Sequence, residues 1–166
     1  MKNIRKKQKK GFTLIEMVVV TAAIGMVMVA VISVVVATFR SQNQSKSNIK
    51  VSSGGAWILD ELKRNVLLGS GESIVCAENN QSITITSISD GEEIVINCDE
   101  DSGAITANSN NLNSGDITIS NCSSFVNCTT LPSLEVSEVV FEFTVDTETS
   151  GIESSQDFDL SVSVRN

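Results

Sequence analysis

The chain contains no histidine and no tyrosine. Without histidine it lacks the side chain that most often moves protons near neutral pH and most often ligates zinc. The four cysteines, Cys76, Cys98, Cys122 and Cys128, form no Cys-x-x-Cys pair, so a four-cysteine zinc site has no spacing behind it. Serine, aspartate and glutamate are plentiful, but no two carboxylates stand out from the acidic turns as a glycosidase pair. The expected function is therefore not enzymatic, and no cofactor is expected.

Basic residues are scarce too, and they are unevenly placed. Twelve bases against twenty acids give a net charge of −8. Lys2, Arg5, Lys6, Lys7, Lys9 and Lys10 put +6 on the first ten residues and leave −14 for the rest. A basic tip before an apolar run stays on the cytoplasmic side, so residues 1–10 are expected inside and the acidic part across the membrane. That acidic part argues against nucleic-acid binding, which depends on Lys and Arg at the phosphates.

From Phe12 to Phe39 only Thr13, Glu16, Thr21, Ser33 and Thr38 interrupt a run of apolar residues. As a helix these residues span roughly 42 Å, more than the ~30 Å of bilayer hydrocarbon. Lipid forces internal backbone hydrogen bonding, so the many valines do not argue against a helix. No small-residue cleavage site follows the run, as a secretory signal would require; Ser33 and Ala37 fit that role poorly. Glu16 is the odd residue. A carboxylate deep in a bilayer costs on the order of 2.5–3.5 kcal/mol on insertion scales and wants a partner. From hydropathy alone the segment also reads as an uncleaved signal anchor with Glu16 incidental.

The string Lys9-Lys10-Gly11-Phe12-Thr13-Leu14-Ile15-Glu16-Met17-Val18-Val19 resembles the cleavage and methylation segment of bacterial type IV prepilins and type II secretion pseudopilins. The resemblance rests on Gly11, Phe12 and Glu16, with Gly25 at the place of a common helix glycine. It implies a cut between Gly11 and Phe12 by a membrane prepilin peptidase, and methylation of the new amino group of Phe12. It gives Glu16 a role in subunit assembly, pairing with the amino terminus of a neighbouring subunit. The implied partners are other pilin subunits, the peptidase, the inner-membrane assembly platform and membrane lipid. The implied location is the inner membrane, single-pass, and then the filament at the cell surface. Where many major pilins have a proline, this chain has Ser33, which leans toward a low-copy subunit.

After Arg40 the composition turns polar. Ile49, Ala56, Leu59, Leu62 and Val66, helped by Trp57, Ile58 and Leu67, then recur at spacings of three and four, the mark of an amphipathic helix packed on a sheet. Gly54-Gly55 is expected to loosen or bend it, and Gly69 and Gly71 to end it. Beyond, residues alternate with period two. The expected strands are Ser73–Ala77, Ser82–Ile88, Glu92–Asn97, Ala104–Ala107, Asp116–Ser120, Leu134–Val145 and Phe158–Val164. Val136, Val140, Phe141, Phe143 and Val145 mark the longest; Leu160, Val162 and Val164 share one face of the last. Asn79-Asn80, Asp90-Gly91, Asp101-Ser102-Gly103, Asn108 to Gly115 and Ser150-Gly151 separate them as turns. The expected fold is α+β: a long N-terminal helix packed on an antiparallel β-sheet head, as in pilins. The expected segments are a leader at 1–11, a transmembrane or filament-core helix at 12–39, an amphipathic helix at 40–69 and a disulfide-containing β-rich head at 70–166.

An even cysteine count beyond an export segment reads as two disulfides in an oxidising compartment. Three pairings are possible. Cys76–Cys98 with Cys122–Cys128 is the favoured expectation, the second closing a short loop around Phe125. The tail ending Val164-Arg165-Asn166, an early cysteine-bearing strand and the Cys122–Cys128 loop together resemble minor pilins of the PilW kind, and J-type pseudopilins share the plan. Asp99-Glu100-Asp101, with Asp90, Glu92 and Glu93, has the chemistry for calcium but not EF-hand spacing, and reads as solvated turns. Asn43, Asn80, Asn121 and Asn127 begin Asn-x-Ser/Thr triplets, expected by chance in so Asn- and Ser-rich a chain. The leading reading is a minor pilin-like subunit of a type IV pilus or secretion pseudopilus. The alternatives are an uncleaved surface adhesin and the major pilin of the filament.

Overall fold

The structure is a computed structural model and describes residues 11–131 and 134–164. One helix, α1 (Leu14–Leu68), is followed by nine strands: β1 (Gly69–Cys76), β2 (Ser82–Ser87), β3 (Glu93–Asp99), β4 (Ala104–Ala107), β5 (Asn110–Asn111), β6 (Thr118–Ser120), β7 (Val126–Leu131), β8 (Leu134–Thr149) and β9 (Ile152–Ser163). The architecture is the expected α+β, pilin-like one. Two compact units divide the chain, one up to Gln42 and one from Asn43 onward.

In the first unit every described residue is exposed. By length and composition its apolar helix can cross a membrane. Its hydroxyls are folded back on the backbone. Thr21 Oγ1 donates to the Val18 carbonyl at 3.0 Å, Ser33 Oγ to Val29 at 2.9 Å and Thr38 Oγ1 to Val34 at 2.8 Å. Such back-bonding hides a hydroxyl from lipid without interrupting the helix.

The second unit holds the core. The first sheet is an antiparallel meander, β1-β2-β3-β4-β5. The second is built on β8. Phe141 pairs with Val126 of β7 and Leu160 of β9, and Val145 pairs with Ile119 of β6 and Gln156 of β9. So β6 and β7 share one side of β8, and β9 alone occupies the other. The β8–β9 turn is Ser150-Gly151, with φ of 55° and 73°. Two positive-φ residues between paired strands match right-handed strand twist, and glycine takes such a conformation without steric cost. Asn108-Ser109 does the same between β4 and β5, with φ of 48° and 67°.

Several strand limits differ from expectation. β8 and β9 run on to meet at the Ser150-Gly151 turn, and β5 and β7 were not expected. β5 lies inside a stretch whose asparagines read as loop. Asn113 explains how such a stretch is ordered. Its Oδ1 accepts from the Ile105 amide at 3.1 Å, and its Nδ2 donates to the Ile117 and Gly103 carbonyls at 3.0 and 3.3 Å. One side chain there replaces a short length of strand. On β8 the buried face is Val139, Phe141, Phe143 and Val145, so Val140 lies on the opposite, outer face.

The helix stripe also needs correction. The buried positions are Ser47, Val51, Gly55, Ile58, Leu62, Asn65 and Val66, at steps close to the helical period. Ile49, Ala56, Trp57 and Leu67 are exposed, and Leu59 is half-buried. The expected stripe took the largest apolar residues as the inner face, whereas the inner face here includes serine, glycine and asparagine. The Gly54-Gly55 pair neither ends nor interrupts α1. A Cβ at Gly55 would overlap the Phe158 ring, and one at Gly54 would sit 2.6 Å from Ile117 Cδ1. The glycines let the helix lie close on the sheet. From Gly55 an aromatic chain runs inward: Phe158 stacks on Phe143 at 5.7 Å, and Phe125 meets Phe143 at 6.3 Å and Phe141 at 5.4 Å. In a unit poor in aromatics, pooling them into one cluster concentrates the burial each can give.

The disulfides are Cys76–Cys128 and Cys98–Cys122, with Cα separations of 6.4 and 5.4 Å, which corrects the expected pairing. Cys76 is on β1 and Cys98 on β3, with β2 between them: Cys76 pairs with Ile83, and Ile83 with Ile96. Two strand spacings are roughly 10 Å, beyond the ~7 Å a disulfide tolerates between Cα atoms. Both actual bridges instead join the first sheet to the segment carrying β7 of the second.

Candidate processing and assembly site

Gly11, Phe12, Thr13 and Glu16 lie together at the start of α1. Thr13 is the residue just before the helix, and its carbonyl accepts from the amides of Glu16 and Met17 at 3.1 and 3.3 Å. Its hydroxyl accepts from the Glu16 amide at 3.4 Å. Thr-x-x-Glu is one half of a capping box, and the acid in the first turn also faces the positive end of the helix dipole. The sequence reading passed over Thr13. The signal was in the string, since a hydroxyl three places before an acid at the head of an apolar run marks a helix start.

Phe12 is 75% exposed, and nothing lies within 4 Å of a Cβ placed on Gly11. The described residues before the helix, 11–13, are thus exposed. Glu16 is also exposed. Thr13, Thr21, Ser33 and Thr38 each have a hydroxyl hydrogen-bonded to this chain's own backbone. Among the described residues of the apolar run, the Glu16 carboxylate is the one polar side-chain group with no such bond. Gly25 has open space where a Cβ would be, so a second helix can come close there. α1 runs without interruption through Ser33. The basic leader, residues 1–10, and the tail residues Arg165 and Asn166 lie outside the described residues.

The four cysteines belong to the second unit, and all are paired. The acidic turns are self-contained. Asp99 accepts from the Asp101 amide at 3.1 Å and the Ser102 hydroxyl at 2.7 Å, and Asp90 accepts from the Glu92 amide at 3.2 Å. The Ser102 hydroxyl is the main reason that the Asp99 carboxyl sits below its ordinary pKa; for Asp90 the Ser87 hydroxyl plays that part. Among the described residues no group of three or more acids or cysteines is arranged to hold a metal ion.

Residues 6–37 match the family model described as the prokaryotic N-terminal methylation motif. The match covers Gly11, Phe12, Glu16, Gly25 and Ser33. No curated protein and no solved structure matches the chain.

Proposed function

We propose that this chain, whose methylation motif supports membership of the type IV prepilin and pseudopilin family, is a low-copy subunit cut after Gly11, methylated on Phe12 and built into a type IV pilus or a type II secretion pseudopilus. The motif and the apolar helix support the coarser part of this reading, a membrane-anchored pilin-like subunit processed by a prepilin peptidase and assembled with other pilin subunits. The finer reading concerns residues, copy number and route.

The observation that carries it is the lone carboxylate. Every hydroxyl of the apolar run is bound to its own backbone, and Glu16 is not. Cleavage after Gly11 gives Phe12 a cationic amino group close to the depth of Glu16. A neighbour's amino group paired with Glu16 relieves two desolvation costs together and sets the axial register between subunits. The notch at Gly25 allows the close helix approach that such a register needs. Ser33, standing where many major pilins have proline, favours a low-copy subunit, and the tail ending Val164-Arg165-Asn166 is what favours the PilW or J type. The leader stays in the cytoplasm by its positive charge, the head crosses the inner membrane, and the assembly platform and surrounding lipid are the other partners.

N-terminal sequencing of the native product tests the cut, with N-methylphenylalanine expected at the first position. Gly11→Val should leave the full-length precursor. Glu16→Val should insert and be processed normally, yet be absent from sheared filaments. A product beginning at Met1 would instead indicate an uncleaved anchored surface protein, and normal filament incorporation of Glu16→Val would overturn the pairing.

A further inference from the structure

From Asn65 to Val164 the sequence has seventeen acids and not one lysine, arginine or histidine. The strands place these acids with little relief. On the outer face of the second sheet Glu142 stands directly across from Asp159, and Glu148 across from Glu153. All four are exposed. Like charges directly opposed across an antiparallel pair destabilise it. The remaining acids of that face are met by hydroxyls rather than cations: Thr144 donates to Asp157 at 2.7 Å, Ser120 to Asp146 at 2.6 Å, and Ser161 to Glu138. Among the described residues the ion pairs are Lys50–Asp116 and Arg64–Glu61, and neither touches this face.

The same sheet ends on an unpaired edge. β9 is twelve residues long and pairs with β8 alone. Alternate backbone amides and carbonyls along its other side have no strand partner among the described residues, and such an edge is a template for an added strand. Ile152–Ser163 contains no lysine and no proline, and its edge protection is limited to the acids Glu153, Asp157 and Asp159, which repel another acidic strand but attract a basic one. A groove of about 560 Å³ lies beside its C-terminal half. Five consecutive residues, Leu160 to Val164, line it. Side chains alternate in direction along a strand, so what five successive residues share is their edge. Lys63, Val66, Leu67, Gly69 and Ile88 form the opposite wall, apolar but for Lys63, so the incoming end that enters the groove is apolar and the cationic positions lie further along β9.

We propose that the free edge of β9 is a docking site for an extended, cationic strand of another protein. The incoming strand hydrogen-bonds to the β9 main chain and sets Lys or Arg beside Glu153, Asp157 and Asp159. An apolar residue at one end fills the groove. This is strand addition, with main-chain bonds supplying affinity and alternate side chains supplying selectivity. A second copy of this chain is a poor occupant, because its own β9 brings the same acids to the seam.

The test uses the full chain in nanodiscs of zwitterionic lipid. The probe is a fluorescent peptide of alternating lysine and threonine ending in leucine, with two analogues N-methylated on one or the other alternate set of amides. Charge is equal in all three. The parent peptide should bind, and one of the two analogues should bind at least about tenfold more weakly. Glu153→Gln/Asp157→Asn/Asp159→Asn should also weaken the parent about tenfold at low salt, with the gap closing at high salt. Equal binding of all three peptides, unchanged binding to the triple variant, or no binding would overturn the proposal. So would a dimer of the full chain that the peptide disperses, since the edge would then belong to a second copy.

Discussion

Between Phe12 and Phe39 a single carboxylate stands in an apolar run, and every side chain is exposed. Beyond Asn43 the acids are many, the interior is closed, and two disulfides hold it. Among the described residues the first unit buries nothing and has no core of its own. The second is organised from within. Changes in the first should therefore be read in assembly, and changes in the second in stability.

Breaking the bridges tests the second half of that contrast most severely. Cys76 and Cys128 are 52 residues apart, and Cys98 and Cys122 are 24 apart. On loop-closure arithmetic, Cys76→Ser/Cys128→Ser should cost about 4 kcal/mol and Cys98→Ser/Cys122→Ser about 3 kcal/mol. Urea unfolding of the full chain in detergent, followed by Trp57 fluorescence, would measure both. The bridges are nested, so keeping the inner one shortens the loop that the outer one closes. The shortened loop, 52 less 24 or about 28 residues, is still the longer of the two, so an outer pair worth less than the inner pair would show that loop entropy does not set the order.

The helix face sharpens the comparison with a smaller change. Gly54 and Gly55 are neighbours on α1 with different surroundings. Adding a methyl at Gly55 meets the Phe158 ring, which is stacked on Phe143, while at Gly54 it meets the free end of Ile117. Gly55→Ala should destabilise the head by about 1–3 kcal/mol through overpacking. Gly54→Ala should stay within about 1 kcal/mol of neutral, because helix propensity gains roughly that much and Ile117 can turn aside. The same urea titration separates the two. Equal costs would mean that the ring yields as readily as the methyl.

The two units were not equally legible in the sequence. In the first, the long apolar run after a basic tip makes a helix of membrane-spanning length legible. In the second, strand alternation and the turns at Asp90-Gly91 and Ser150-Gly151 were plain. What the sequence hid was long-range. Nothing local told that β2 separates Cys76 from Cys98, and that separation decides the pairing. The helix face was misread because Gly55 and Ser47, not Ile49 and Trp57, lie against the sheet. Small residues mark a close approach only once the partner, here Phe158, is known. Asn113 was read as loop because its value lies in three backbone groups that folding brings to it.

The gentlest test concerns the acidic turns. Asp90 and Asp99 have folded-state pKa values lowered from the ordinary 3.8, chiefly by the hydroxyls of Ser87 and Ser102 respectively. A carboxyl more acidic when folded means that the unfolded chain takes up its proton first as pH falls. The stabilisation is therefore complete above the unfolded value and is lost as pH drops through the folded one. Asp90 is exposed and Asp99 is half-buried at the surface, so the loss should be small and spread below about pH 4. Asp90→Asn and Asp99→Asn should each flatten that acid limb slightly in urea midpoints taken from pH 5 downward, and Ser102→Ala should do the same through Asp99 alone. If Ser102→Ala leaves the limb as steep as before, the turn amides rather than the hydroxyl hold the charge.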